Sequence, residues 1–170
     1  ADVDAGWERV LRDYFWAPTS LLYTCAPKDV QKADFYTNGF RVWEKNGDYG
    51  YGLEDCAIIG GVALSMLCDR FAVTGDDALR KDARAMARGL VNLCTVHGVK
   101  GFVARGICVE DGKSVCALSS RDQYTLFVYS LWRYSRSALA TPEEKALSAK
   151  LLADIAAVLS SKGGFTQALN

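Results

Sequence analysis

The sequence predicts a mainly α-helical soluble domain in which helices buried on most sides alternate with amphipathic ones. Three observations carry this. Two segments, about Leu53 to Val73 and about Arg121 to Arg136, are apolar or aromatic around most of a helical circumference, the mark of a helix enclosed by neighbours. Each is followed by a short turn and a helix with a single apolar stripe. A long glycine-containing connection leads into each enclosed helix. Enclosed helices inside, amphipathic ones outside and short turns at one end describe an α/α toroid or a stacked array of helical hairpins. The 170 residues suit one domain, 1–170. A chain of that length buries about two-thirds of its unfolded surface and folds without staples.

The first helix is expected over about Asp4 to Trp16, capped by Asp4, with Trp7, Val10, Leu11, Tyr14 and Phe15 at helical spacing. From Ala17 to Gly52 the chain carries Pro18, Pro27, Gly39, Gly47, Gly50 and Gly52, and reads as a long loop with a short helix near Asp29–Phe35. The second helix holds Gly60 and Gly61 in its interior, each costing about 1 kcal/mol relative to Ala. Close approach by another backbone or a ligand would compensate. Gly75 stops that helix and Asp76 starts the third, over about Asp77 to Val96. Leu79, Ala83, Met86, Ala87, Leu90 and Cys94 form its stripe, with Arg80, Lys81, Arg84 and Arg88 turned away.

His97 to Ser120 is again a long connection, with a β-hairpin expected around Asp111-Gly112. The fourth helix follows from about Arg121 to Arg136. Thr141-Pro142-Glu143-Glu144 opens the fifth as a capping box, with Thr141 the cap and Glu144 its returning partner. Leu147, Leu151, Ile155, Val158 and Leu159 make the fifth stripe, and Gly163 ends it. The cap at Thr141 follows the cap at Asp76 by about 65 residues, so the repeat is one of pattern.

Composition excludes several classes. Lys plus Arg number 20 and Asp plus Glu 20, so there is no basic excess for nucleic acid. No basic amphipathic helix points to a membrane surface, and no apolar run is expected to reach the roughly 20 residues of a bilayer span. The six cysteines, at 25, 56, 68, 94, 108 and 116, form no CxxC pair, which argues against zinc. Cys56, Cys68 and Cys94 fall on apolar helix faces. Cys108 and Cys116 flank the expected turn and are placed to form a disulfide. The chain begins at Ala1 without a basic, apolar leader. That fits a secreted or periplasmic protein after signal removal, and also a cytoplasmic one.

The long loops all fall at the end where the enclosed helices begin, which is where a rigid scaffold usually presents binding residues. Two clusters reach it. Tyr49-Gly50-Tyr51-Gly52-Leu53-Glu54-Asp55 leads into the second helix, and Ser119-Ser120-Arg121-Asp122-Gln123-Tyr124 into the fourth. Carboxylates and amides bond sugar hydroxyls, and aromatic faces cover the apolar faces of a pyranose ring. Glycosidic hydrolysis normally uses two carboxyl groups. Asp122, Asp55 and Glu54 are therefore the candidate catalytic residues. Arg105, Arg121, Gln123, Tyr124, Tyr51 and Tyr49 are the candidate substrate contacts. Arg105, between Gly101 and Gly106, offers a planar fork for a uronate carboxylate or an ion pair with Asp122. The plainer reading is that Asp55 and Asp122 serve helix N–H groups and the helix dipole. His97, the only histidine, lies at a helix C-terminus that favours a cationic imidazole and is read as structural. A lone His makes a Ser-His-Asp triad or a His-rich metal site improbable, no phosphate loop is present, and no metal or cofactor is expected.

The stretch Gly101–Gly106, then Ser119–Tyr124 with the aromatic helix to Tyr134, then the Thr141–Glu144 cap, resembles the six-hairpin glycosidase superfamily, and most of all bacterial relatives of unsaturated glucuronyl hydrolases. Glu54-Asp55 after a Gly-Tyr-Gly segment fits the same picture. The resemblance spans about residues 50 to 160. It implies an (α/α)6 barrel with the sugar site at one end of the inner helices. It also implies an aspartate, Asp122 first and Asp55 second, that acts as acid and base in hydrating an unsaturated uronate. The chain supplies two hairpins and one extra helix, well short of six pairs, so it reads as the N-terminal part of a larger barrel or a truncated relative. The open sides of the second and fourth helices would then need an oligomer partner or a further C-terminal segment to cover them. The functional expectation is a glycoside hydrolase acting on uronate-containing or other polysaccharide fragments. Its rivals are a non-catalytic carbohydrate-binding module, a polysaccharide lyase using Tyr51 or Tyr124 near Arg105, and a helical-repeat binding protein.

Overall fold

A computed structural model describes residues 2–30, the backbone of 36–37 and 40–41, and residues 51–161. It is mostly helical, with five α-helices and a few two-residue strands among the described residues. Helix α1 spans Val3–Tyr14. Its cap is Asp2 rather than the expected Asp4: the Asp2 carboxylate accepts from the N–H groups of Asp4 (3.0 Å) and Ala5 (3.2 Å). Both aspartates suit a cap, and the one that precedes the first helical turn takes it. The helix also ends earlier than expected. Phe15–Trp16 forms strand β1, which pairs antiparallel with β2, Leu21–Leu22. The hairpin buries Leu21 and Leu22, and that burial overrides the helical spacing of Phe15 and Trp16. A 3₁₀ turn spans Pro27–Asp29, and residues 31–35 of the helix expected near Asp29–Phe35 lie outside the described residues. Strands β3 (Tyr36–Thr37) and β4 (Phe40–Arg41) pair antiparallel.

The remaining helices are α2 (Cys56–Thr74), α3 (Leu79–Thr95), α4 (Arg121–Arg136) and α5 (Pro142–Ser161). They form two antiparallel hairpins, α2–α3 and α4–α5. Contacts ascend together along α2 and α4, from Asp55 with Gln123 through Gly61 with Leu126 to Asp69 with Arg133, so these two run parallel. Gly61 explains itself here. A Cβ at this position would stand 2.8 Å from the Leu126 carbonyl oxygen and 3.2 Å from Ser130 Oγ, so glycine lets the two helix backbones approach. Of the Gly60-Gly61 pair, Gly61 has the expected close approach by a backbone, while Gly60 meets only the end of the Leu90 side chain.

Local signals that the sequence carries hold well. Gly75 ends α2 in the left-handed conformation (φ 64°) and donates its N–H to the Phe71 carbonyl, while Asp76 accepts from the Ala78 N–H. The Thr141 N–H donates to Glu144 Oε2 (2.7 Å) and the Glu144 N–H donates to Thr141 Oγ1 (3.2 Å), a complete capping box. All six residues of the α3 stripe are buried. The α5 stripe is buried at Leu151 and Ile155, but Leu147 is exposed. Gly163 lies outside the described residues.

Neither α2 nor α4 is enclosed on all sides. Val62, Met66 and Val73 of α2 and Tyr129 and Trp132 of α4 face solvent. Each helix has a single hairpin partner and one parallel neighbour, which cover only part of its circumference. Hydropathy alone reports what a helix prefers to bury, and here more is offered than these neighbours cover. Contrary to expectation, α2 has the length and apolar composition of a membrane span. Here it is the central helix, packed against α3 and α4.

The expected hairpin between α3 and α4 is reduced to one bridge, Ile107 with Val115, closed by the Asp111 carboxylate accepting from the Lys113 and Ser114 N–H groups. Strand β5, Val115–Cys116, pairs parallel with β4 instead. Cys108 and Cys116 are both buried thiols, and no disulfide joins them.

Candidate functional site

The buried segment 101–106 lies at the end where α2 and α4 begin, and builds the site. Gly106 passes so close that a Cβ would lie 2.7 Å from the Leu53 carbonyl oxygen. This places the Arg105 carbonyl to accept from the Ala57 N–H (3.2 Å), so backbone serves an N–H that a cap side chain would otherwise take. Asp55, although it stands at the cap position of α2, makes no side-chain capping bond. Its carboxylate instead accepts from Gln123 Nε2 (2.8 Å) and stands 3.8 Å from Arg105 Nη1, with the Asp55 side chain 45% exposed. The plainer reading of Asp55 as a helix cap therefore fails on geometry. Arg105 pairs with Asp55 rather than with Asp122.

Arg105 and Gln123 are both buried. Each donates to the Glu54 carbonyl, Arg105 Nη1 at 3.2 Å and Gln123 Nε2 at 2.9 Å. The two donors thus fasten the start of α2 to α4 and to the 101–106 segment. With Nε2 committed twice, the orientation of the Gln123 amide is set, and Oε1 is turned away from these acceptors. That oxygen is buried and has no hydrogen-bond partner among the described residues, and the same holds for Ser119 Oγ. Buried acceptors without donors are costly.

Asp122 is exposed in the first turn of α4. The Ser120 hydroxyl donates to its carboxylate and holds it below the usual carboxyl range, helped by N–H groups at the helix start and by the Arg105 charge. Asp122 is therefore an anion at neutral pH and a weaker base than an ordinary carboxylate, suited to stabilise positive charge. The Glu54 carboxylate turns the other way and accepts from Thr24 Oγ1 (3.0 Å).

The substrate-contact candidates divide. Arg105 and Gln123 join the Asp55 cluster. Tyr51 is 61% exposed. Tyr124 is buried, with its hydroxyl donating to the Gly101 carbonyl (3.1 Å) and accepting from the Val103 N–H (3.2 Å), and burial raises its pKa. It ties α4 to the 101–106 segment, and what little surface it keeps lines a groove away from Asp55. Arg121 is exposed and faces a different groove, one of about 450 Å³ beside Tyr129, Trp132 and Leu159. Tyr49 lies outside the described residues.

His97 is structural, but not as a cation. Its Nδ1 accepts from the Val99 N–H (3.1 Å), its Nε2 stands 3.0 Å from the Leu93 carbonyl, and burial lowers its pKa. A ring that accepts at one nitrogen is neutral, with the proton on the other. No group of three or more His, Cys, Asp or Glu suited to a metal ion occurs among the described residues.

Sequence reasoning did not find Thr24 or the Glu54 carbonyl. Nothing near either position announces them, because their partners lie 30 to 69 residues away. No known protein family matches the chain in sequence, and neither a curated protein nor a solved structure does.

Proposed function

We propose that the chain is a carbohydrate-active domain, a glycoside hydrolase or part of one, acting on uronate-containing fragments. Its site is the Asp55–Arg105–Gln123 cluster with Asp122 at its edge. The observation that carries the reading is the freed Asp55 carboxylate: it stands at a cap position, does no capping, and is held by a buried guanidinium and a buried amide whose oxygen still wants a donor. The half-exposed Asp55 carboxylate can accept from a sugar hydroxyl, and the Arg105 fork suits a uronate carboxylate. Asp55 and Asp122 would be the two carboxyl groups of the reaction. The parallel α2 and α4, each with an antiparallel outer partner, fit one sector of an α/α toroid. The solvent-facing apolar residues of α2 and α4 are then the sides that further hairpins or a second chain would cover.

A second reading, a non-catalytic carbohydrate-binding module, draws on Asp122. Glycoside hydrolysis needs one carboxyl group that keeps its proton near neutral pH, and the surroundings of Asp122 push the other way. Incubating the purified chain with uronate oligosaccharides and their unsaturated lyase products separates these. Cleavage by mass with falling ultraviolet absorbance supports hydrolysis of an unsaturated uronate, and Asp122→Asn should abolish it. Binding without a mass change supports the module, and rising absorbance points to a lyase. Turnover that survives Asp122→Asn removes Asp122 from the mechanism.

A further inference from the structure

We propose that the outward face of α3, with the groove between it and the β1–β2 hairpin, binds a stretch of anionic polysaccharide as a second site. Lys81, Arg84 and Arg88 follow at spacings of three and four and so share one face, spanning about 10 Å of helix. The groove they line has a volume of about 640 Å³, and Phe15, Ala17 and Ala85 give it apolar patches. Neighbouring Arg80 is committed to Asp77 at 2.9 Å and to the Ala138 carbonyl at its other end. Arg84 has only a long contact to Glu144, 3.6 Å. Lys81 and Arg88 have no acidic partner among the described residues. The ridge therefore keeps positive charge to offer in a chain of zero net charge.

The chemistry favours a polyuronate over a nucleic acid. Asp77, Asp82 and Glu144 border the ridge and break the continuous basic field that a phosphate backbone rewards. Separated carboxylates can meet guanidinium forks one at a time, while the apolar patches accept the C–H faces of the rings. The choice of uronate rests on the function proposed above; the location does not. Arg80 lies over Phe71 in the last turns of α2 and Leu90 meets Gly60 near its start, so the Lys81 end of the ridge lies beside the end of α2 far from Asp55. A long chain held there would be anchored away from the reacting bond.

The test is binding of a fluorescently labelled polygalacturonate oligomer to the full chain, followed by anisotropy at two salt concentrations. Lys81 and Arg88 are solvent-exposed, so K81E/R88E should fold normally, as circular dichroism would check. The double variant should bind roughly tenfold more weakly, with a flatter salt dependence. It should leave turnover of a short unsaturated uronate disaccharide unchanged. Asp55→Asn should do the reverse, keeping polymer binding. Undiminished polygalacturonate binding by K81E/R88E overturns the proposal, as does tighter binding of an oligonucleotide of equal length. If the chain turns over no uronate at all, the function proposed above fails, while the comparison of K81E/R88E with wild type still decides the ridge.

Discussion

Substituting alanine at Gly60 and at Gly61 should move stability in opposite directions. Both glycines sit inside α2, and helix propensity alone favours alanine by about 1 kcal/mol at each. At position 60 the added methyl meets only the far end of Leu90, at 3.4 Å. That is ordinary contact with a flexible group, so Gly60→Ala should keep most of the propensity gain. At position 61 the methyl would stand 2.8 Å from the Leu126 carbonyl oxygen. This is backbone of α4, which cannot rotate aside, and the same oxygen accepts the Ser130 hydroxyl at 2.7 Å. Forcing the helices apart costs about 1–3 kcal/mol by the usual penalty of overpacking. Gly61→Ala should therefore be destabilised by about 1 kcal/mol net, a fall in Tm of about 2–4 °C. Urea unfolding followed by circular dichroism gives both values. If Gly61→Ala proves as stable as Gly60→Ala, α2 and α4 do not approach as described.

Two further outcomes follow from single side chains. Glu144→Ala removes the acceptor of the Thr141 N–H and of the Tyr134 hydroxyl (2.9 Å), and should cost about 2 kcal/mol in urea unfolding. Glu144→Gln keeps an acceptor oxygen and should lose less. His97 is neutral in the fold because burial lowers its pKa below 6.5. Its contribution is thus fully present above pH 6.5 and is lost as pH falls through that value toward the folded pKa. A urea midpoint that drops between pH 7.5 and pH 5.5 in the wild type, and drops less in His97→Gln, meets the expectation; equal slopes do not.

What was legible in the sequence was local. The start of α4, the Thr141–Glu144 box and the Gly75 stop depend on residues within one turn of each other, and all three stand where expected. The α3 stripe was legible because its polar and apolar residues separate cleanly by angle. The β1–β2 hairpin was not, since Phe15 and Trp16 fit a helical spacing equally well until Leu21 and Leu22 draw them into a strand. Open sides on α2 and α4 were expected from the presence of only two hairpins, but which residues lie on them was not legible, because periodicity shows no difference between an apolar residue that finds a neighbour and one that does not. At the candidate site, the polar residues were visible at both helix starts, but which of them the fold brings together was not. Arg105 was expected to meet either a uronate carboxylate or Asp122, and among the chain's own carboxylates it meets Asp55, 50 residues away. Asp55 and Tyr124 both carry polar groups in a promising place. Only the fold separates them, leaving the first accessible and closing the second over the 101–106 segment.

A side-chain NMR titration with an unsaturated uronate disaccharide tests the site assignment most directly. The Gln123 amide and the Arg105 guanidinium resonances should shift together on saturation, and Asp55→Asn should weaken the effect. Saturating shifts that leave both groups unmoved, or that appear only along α3, would contradict the assignment of the Asp55–Arg105–Gln123 cluster as the sugar site.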